Sequence, residues 1–282
     1  MNKYVIFPYL LIPKRQASTS FYISNRCRHY FIKYPVIRKS GHYLWLPNTN
    51  CTIICVFQRN KIVKILAGIN IINTISFTLP EYDALYILRI TADQMISYPL
   101  HLNGSQSQTS LSDAGTVFPG LKRFLSEEQD LLHFEEPNRL IYHFEKNIFL
   151  SSNPLSGKKE YIVNRIFQFA KANSYNAKVT DIATHLGYTE RQIQKIFHDL
   201  TGRSIKSYCQ TERLYRACDM LCSGDAQIQD ISFFLGYYDQ SHFNHFFRKI
   251  AGCTPLEYQH LVFSLSSGQP SRELRQYFPE QK

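Results

Sequence analysis

Two segments in the C-terminal half of the chain share one pattern of apolar positions. In the first segment the apolar residues recur every three or four positions, in two sets: Val179, Ile182, Ala183, Leu186, and then Ile193, Ile196, Phe197, Leu200. Each set occupies one face of an α-helix. Gly187 lies between the sets, where a left-handed residue ends a helix, and Thr189 with Gln192 has capping-box spacing. The pattern predicts a helix-turn-helix unit.

The same pattern returns in residues 228–250. The second copy has two apolar stripes, formed by Ile228, Ile231, Leu235 and by Phe243, Phe246, Phe247, Ile250. Gly236 is predicted to end its first helix, and Asp239 to cap its second. Residues 204–224 predict one connecting helix between the copies, capped by Ser204 and ended by Gly224.

The first part of the chain has a different period. Up to about residue 118, short runs rich in Tyr, Ile, Val and Phe alternate with turn residues, as in "CTIICVF" and "ALYILRI". This alternation is typical of β-strands. Residues 103–115 form a polar loop by composition, and residues 126–134 and 138–149 have helical patterns. These features predict a β-rich sandwich or barrel with two short helices.

The two patterns predict an α+β multidomain protein. Residues 1–150 form the β-rich domain, and residues 151–157 form a linker of small and polar residues between helix breakers. Residues 158–263 form an all-α domain with two helix-turn-helix units and a central helix. Residues 264–282 are a C-terminal tail.

The net charge of the chain indicates what kind of partner it binds. The formal net charge of the 282 residues is +10, which favours an anionic partner. No apolar run reaches the ~18 residues of a membrane helix. The seven cysteines lack paired zinc spacing, which favours reduced thiols in the cytoplasm. His29, His42 and His101 also lack metal-ligand spacing, so no metal or cofactor is predicted.

The outer faces of the second helices carry the candidate chemistry. Opposite the apolar stripes, at about 100° per residue, lie hydrogen-bonding side chains of two sets: Arg191, Gln194, Lys195, His198, and Gln240, Ser241, Asn244, His245, Arg248. These residue types bind base edges in the major groove of double-stranded DNA, and a helix fits that groove.

The motifs "IATHLGYTERQIQKIFHDLTGRSIKSY" and "LGYYDQSHFNHFFRKIAGCTP" resemble the AraC/XylS transcription regulators over roughly residues 160–262. The resemblance implies sequence-specific DNA binding. Carried over by position, base contacts fall on Arg191, Gln194, Lys195, Gln240, Ser241, Asn244 and His245. Contacts to phosphate are predicted for Thr189, Lys206, Arg248 and Lys249. The chain departs from the family at Gln259, where Arg is usual, and at His198 and Asp199, which replace a commoner basic pair.

The resemblance also implies roles for the β-rich domain. Such domains bind a small-molecule effector, pair two subunits, or do both. The regulators act on transcription with RNA polymerase, as activators or as repressors. Leu140, Ile141, Phe144 and Ile148 are candidates for a homodimer seam, with packing on their own sandwich as the alternative. Arg26, Arg28 and Arg38 are candidates for an anionic effector. A solvated basic face or additional phosphate contact is the alternative for these three arginines.

Two other classes of protein stay open at this stage. One is a regulator that binds DNA or a partner without any effector. The other is an alkyl-transfer DNA repair protein, whose zinc-held cysteine needs four thiolate ligands. Residues 1–156 offer only Cys27, Cys51 and Cys55, and a strand would hold the last two ~13 Å apart. No other catalytic motif is recognisable, so the chain is predicted not to be an enzyme.

Overall fold

The computed structural model describes residues 4–7, 18–23, 27–69, 71, 75–97, 112–113, 121, 124, 132–149, 157–223 and 226–260. Arg26, Gly224, most of the linker and the tail lie outside these ranges. Within them the N-terminal half is built on β-strands and the C-terminal half is helical, as the sequence predicts. Among the described residues no helix combines the length and apolar character needed to cross a membrane.

In the N-terminal half, the described strands form two sheets. Their strands are β1 Tyr4–Phe7, β2 Ser18–Ile23, β3 Cys27–Arg38, β4 Gly41–Trp45, β5 Cys51–Gln58, β6 Lys61–Ile69, β7 Ile75–Leu79, β8 Tyr82–Ile90 and β9 Ser112–Asp113. One sheet has the order β2-β3-β8-β5-β6-β9 and the other β1-β4-β7. Strand β1 runs parallel to β4, whereas the six-stranded sheet is antiparallel throughout.

The six-stranded sheet is covered on both faces. On one face Ile54 and Leu85 pack with Trp45 of the smaller sheet. On the other face Phe31 and Tyr86 pack against helix α2. Since successive strand residues point to opposite faces, a strand buried on both sides needs the uninterrupted apolar run seen in β5. The predicted sandwich is therefore confirmed.

The helices of this half differ in part from prediction. Helix α1 covers Ala92–Ser97, where none was expected, and α2 covers Pro137–Phe149. The helix expected at residues 126–134 does not include residues 132–134, and its remainder lies outside the described residues. Phe134 is instead held by its backbone N–H, which donates to Asn60 Oδ1 at 2.8 Å.

The apolar stripe of α2 faces its own sheet. Leu140 and Phe144 are fully buried and Ile148 nearly so, in one cluster with strand residues, and Ile141 packs against that cluster. The homodimer seam expected there is therefore wrong for these residues. A single helix that covers a sheet must bury its apolar face against that sheet. The apolar stripe of α2 is therefore not available to contact a second subunit.

The C-terminal half contains seven described helical segments. They are α3 Lys158–Ala172, α4 Val179–Leu186, α5 Glu190–Thr201, α6 Ile205–Ser223, α7 Ile228–Phe234, α8 Gln240–Ala251 and residues 255–260. Helices α4 and α5 form the first helix-turn-helix unit, and α7 and α8 form the second. Helix α6 connects them and is capped by Ser204, whose Oγ accepts a hydrogen bond from Ser207 N at 3.1 Å.

The predicted stripes form the cores of the two units. Phe197 is fully buried and packs edge-on against Phe167 of α3. Phe247 is fully buried at the matching place and packs against Tyr258. The prediction that these two phenylalanines are buried equivalents is confirmed.

The turn of each unit contains a left-handed glycine. Gly187 has φ +72° and Gly236 has φ +75°. A methyl group on Gly187 would meet no atom within 4 Å, but one on Gly236 would lie 2.1 Å from Asn176 Nδ2. That nitrogen donates to Leu235 O at 3.0 Å. Gly187 is therefore needed only for its left-handed backbone conformation. Gly236 is needed for the same conformation and also because Asn176 leaves no room for a side chain.

We predict that Gly187→Ala and Gly236→Ala destabilise the protein unequally. Gly187→Ala should cost about 1–2 kcal/mol for the left-handed backbone. Gly236→Ala should cost about 1 kcal/mol more, because Asn176 must give up its hydrogen bond to Leu235. Urea unfolding of both variants, followed by circular dichroism, measures the difference. Equal losses would show that Asn176 does not constrain this turn.

Candidate nucleic-acid interface

The second helix of each unit begins at a capped residue. Thr189 Oγ1 accepts a hydrogen bond from Gln192 N at 3.3 Å, and Gln192 Oε1 accepts one from Thr189 N at 3.0 Å. In the other unit Asp239 Oδ1 accepts one from His242 N at 2.6 Å. Both caps were predicted from spacing. They satisfy N–H groups of the first turn and fix where α5 and α8 start.

Helix α5 presents its polar face to solvent. Arg191, Gln194 and Lys195 are all exposed, and His198 is exposed beside them. They lie opposite the buried Ile193 and Phe197 because one side of an amphipathic helix faces the core. All three predicted base-contacting residues of this unit therefore share one accessible surface.

Helix α8 departs from the expected pattern at one position. Gln240, Ser241 and His245 are exposed, but Asn244 is half-buried. Its Oδ1 is enclosed and has no hydrogen-bond partner among the described residues. Asn244 lies about 60° around the helix from the buried Phe247, at the edge of the apolar stripe. The expectation that Asn244 is as open as its neighbours is wrong.

Basic side chains lie near the ends of the helices. Lys206 is exposed in the first turn of α6, and Arg248 and Lys249 are exposed in the last turn of α8. The hydroxyl of Thr189, predicted to contact phosphate, also donates to Gln192 Oε1 at 3.0 Å as part of its cap. Gln259, which departs from the family pattern, donates to Leu221 O at 3.4 Å.

Two residues that the sequence analysis did not select tie the units together. Arg213 of α6 donates to Asn176 Oδ1 at 2.6 Å, and Asn176 donates to the carbonyl of Leu235 beside the turn of the second unit. The guanidinium of Arg213 also lies 4.7 Å from the ring centroid of Tyr237 and 5.5 Å from that of Phe246. The loop before the first unit is thus joined to the second unit through the connector.

Helix α6 also contacts the β-rich half. Tyr215 Oη donates to Pro47 O at 2.7 Å, and the buried Arg203 donates to Ile71 O at 2.6 Å. Leu46 is fully buried in the same cluster as the core of the second unit. Thr49 donates to the carboxylate of Glu212. The connector between the two units therefore forms a seam with the sandwich.

A cavity of about 440 Å³ opens at this seam. Its lining includes three basic residues, Arg28, Arg89, Lys171, and two acidic residues, Asp93 and Glu212. Arg28 and Arg89 are direct partners on the adjacent strands β3 and β8. Like charges that face each other across neighbouring strands repel.

The predicted effector arginines do not converge. Arg28 lines the cavity, whereas Arg38 lies at the other end of β3 with its guanidinium 4.7 Å from the ring centroid of Tyr34. Their partners on β8, Arg89 and Tyr82, are seven residues apart, which corresponds to about 23 Å of strand. Arg26 lies outside the described residues. Sequence proximity misled here because an extended strand carries its two ends far apart.

Glu212 has an unusual environment for a carboxyl group. Loss of solvent in the seam raises its pKa above the ordinary value, although the hydrogen bond from Thr49 and the charges of Arg89, Arg203 and Arg216 act in the opposite direction. Removal from water disfavours the ionised form of an acid, and here this effect exceeds the attraction of the arginines.

Known proteins match this chain chiefly over the helical half. The family model described as a helix-turn-helix domain matches residues 182–260. The chain is 32% identical over 79 residues to the regulatory protein SoxS of Escherichia coli (strain K12), covering 28% of this chain and 74% of SoxS. It is 28% identical over 120 residues to YkgA of the same organism, covering 42% of this chain. The match spans 50% of the length of YkgA.

Solved structures of one protein align with most of the chain. ToxT from Vibrio cholerae covers 87% of this chain and 98% of its own length, at 16% identity and a TM-score of 0.43.

We predict that Glu212→Gln changes the pH dependence of stability. Because the folded-state pKa is raised, the protonated form stabilises the fold below the ordinary carboxyl pKa, and this contribution is lost as pH rises through the folded-state pKa. Gln keeps an acceptor for Thr49 without the charge. The melting temperature of the variant should therefore rise relative to wild type on going from acidic to neutral pH. Parallel melting profiles would contradict the raised pKa.

Proposed function

The chain belongs to the AraC/XylS family of transcription regulators, and on this premise we propose that it binds double-stranded DNA of defined sequence through α5 and α8. One observation supports this most directly: two capped helices, in equivalent units, expose hydrogen-bonding faces opposite their buried stripes. A helix of this diameter enters the major groove.

The exposed residues divide into two roles. We assign base contacts to Arg191, Gln194 and Lys195 on α5, and on α8 to Gln240, Ser241, His245 and, at the edge, Asn244. Arginine and lysine suit guanine, and the amides suit adenine. We assign phosphate contacts to Lys206, Arg248 and Lys249, because they flank these faces at helix ends.

We propose that a small anionic effector controls the regulator from the cavity at the seam. The cross-strand pair of Arg28 and Arg89 supports this site, since an anion relieves their repulsion. Glu212, which also lines the cavity, belongs to the connector helix α6. A ligand in the cavity thus contacts both the sandwich and the helix that joins the two DNA-binding units. RNA polymerase contact, transcription activation and homodimer formation stay predictions from the family.

We predict that base-contact and phosphate-contact variants behave differently. Arg191→Ala and Gln240→Ala should each cost about 1–3 kcal/mol of binding and relax base preference in separate boxes about 10 base pairs apart. Lys206→Ala and Lys249→Ala should weaken binding to every sequence and reduce the salt slope by about one unit each. Selection from randomised DNA and titrations at several salt concentrations measure these effects.

One result would contradict the binding of α5 and α8 in two successive major grooves. If Arg191→Ala and Gln240→Ala alter the same base pairs, or neither alters any, then α5 and α8 do not occupy successive grooves. Circular dichroism of each variant serves as the folding control, because all four side chains are exposed.

We predict that Arg28→Ala removes stabilisation by a small anion and that Arg38→Ala does not. A panel of organic carboxylates and phosphates, added to the full chain, should raise the melting temperature of wild type with at least one member. The same compound should leave Arg28→Ala unchanged and still stabilise Arg38→Ala, whose arginine lies at the far end of the same strand. Loss of the response in both variants would place the ligand elsewhere.

A further inference from the structure

A compact group of metal-ligating side chains lies beneath α2, away from the DNA-binding helices. Cys27 and His29 belong to β3 and Glu145 belongs to α2. One ligand atom of each, a sulfur, a ring nitrogen and a carboxylate oxygen, lies within 4.8 Å of the other two. Cys27 and His29 are buried, whereas the side chain of Glu145 is 22% exposed and opens the group to solvent.

The distances suit a shared ion. His29 Nε2 and Glu145 Oε1 are 3.1 Å apart. Two ligands that each bind Zn²⁺ at about 2.0–2.1 Å in a tetrahedron are separated by about 3.3 Å. The same estimate for a nitrogen and a thiolate sulfur is about 3.6 Å. Nitrogen and oxygen are thus close to ligand spacing, and the sulfur needs a shift of about 1.2 Å at most.

The second nitrogen of His29 has the partner that a metal-bound imidazole requires. Nδ1 lies 2.9 Å from Tyr86 Oη. Tyr86 Oη can accept a hydrogen bond from Nδ1 in the tautomer that carries its proton there. When Nδ1 carries the proton, Nε2 directs a lone pair toward Glu145. A lone pair and a carboxylate face each other only with a cation between them, either a proton or a metal ion.

We propose that Cys27, His29 and Glu145 bind one divalent transition-metal ion of borderline softness, such as Zn²⁺. A thiolate, an imidazole and a carboxylate form a donor set typical of Zn²⁺ and of its neighbours Co²⁺ and Ni²⁺. The fourth position lies on the exposed side of Glu145, where water or another ligand completes the tetrahedron. On binding, the thiol proton of Cys27 and the proton between His29 and Glu145 pass to solvent.

The ion would cross-link the sheet to α2. Helix α2 ends at Phe149 and α3, the first helix of the DNA-binding half, starts at Lys158. Ligand spacing along the chain does not indicate this site, because His29 and Glu145 are 116 residues apart. This site is independent of the proposed DNA binding, and its test does not require DNA.

Cobalt binding to the full chain tests the proposal. Protein freed of metal with a chelator should bind one equivalent of Co²⁺ and develop the near-ultraviolet charge-transfer band of a thiolate–cobalt bond. Zn²⁺ should then displace the cobalt and abolish the band. Wild-type protein that binds Co²⁺ without this band, or binds less than one equivalent, overturns the proposal.

Variants identify the ligands. Cys27→Ala should abolish the band, and Cys55→Ala, a matched control that removes a buried thiol from the same face of the sheet, should keep it. Glu145→Gln should lower the affinity at least tenfold, measured by competition with a chromophoric chelator. Gln has the same shape as Glu and the position is partly exposed, so Glu145→Gln should fold. It therefore tests the metal site even if Cys27→Ala does not fold. Wild-type affinity in Glu145→Gln, or loss of the band in Cys55→Ala, overturns the assignment.

Discussion

The packing of α6 into both helix-turn-helix cores is the constraint on which the rest of the DNA-binding half depends. Ile205, Tyr208 and Cys209 belong to the core of the first unit, and Leu214, Cys218 and Leu221 belong to that of the second. A helix of 19 residues is about 28 Å long, which is comparable to the ~34 Å repeat of the major groove. The distance between the exposed faces of α5 and α8 is therefore set by a rigid helix rather than by a flexible linker.

A rigid helix fixes the distance between the two units but not their rotation about its axis. Polar contacts restrict that rotation. Arg213 is hydrogen-bonded to Asn176 on one side and lies over the rings of Tyr237 and Phe246 on the other. Asn176 in turn contacts the backbone at Leu235. Because these contacts reach from the loop before α4 to the turn after α7, twisting one unit against the other breaks several of them together. The relative orientation of α5 and α8 follows from this chain of contacts.

Features that depend on neighbouring residues were predictable from the sequence. The caps at Thr189 and Asp239, the stripes through Phe197 and Phe247, and the β-rich character of the first half all rest on local spacing, and the structure confirms them. The exposure of Arg191 follows directly from the phase of its stripe.

Features that depend on distant segments were not predictable. Leu46 is an apolar residue after a strand, and nothing near it indicates that it packs into the core of the second unit. The stripe of α2 has the same pattern whether it faces its own sheet or a second subunit, so Phe144 could not be placed from its spacing. Asn176 and Glu145 acquire their contacts only through folding, because their partners lie far away along the chain.

The seam between sandwich and connector has an evolutionary consequence. Arg203 and Tyr215 are held by main-chain oxygens of Ile71 and Pro47, and every residue type supplies such an oxygen. The segments joining β4 to β5 and β6 to β7 can therefore change in composition without loss of these two hydrogen bonds. Insertions and deletions there would displace the carbonyl groups. These two hydrogen bonds therefore constrain the length of the loops more than their sequence.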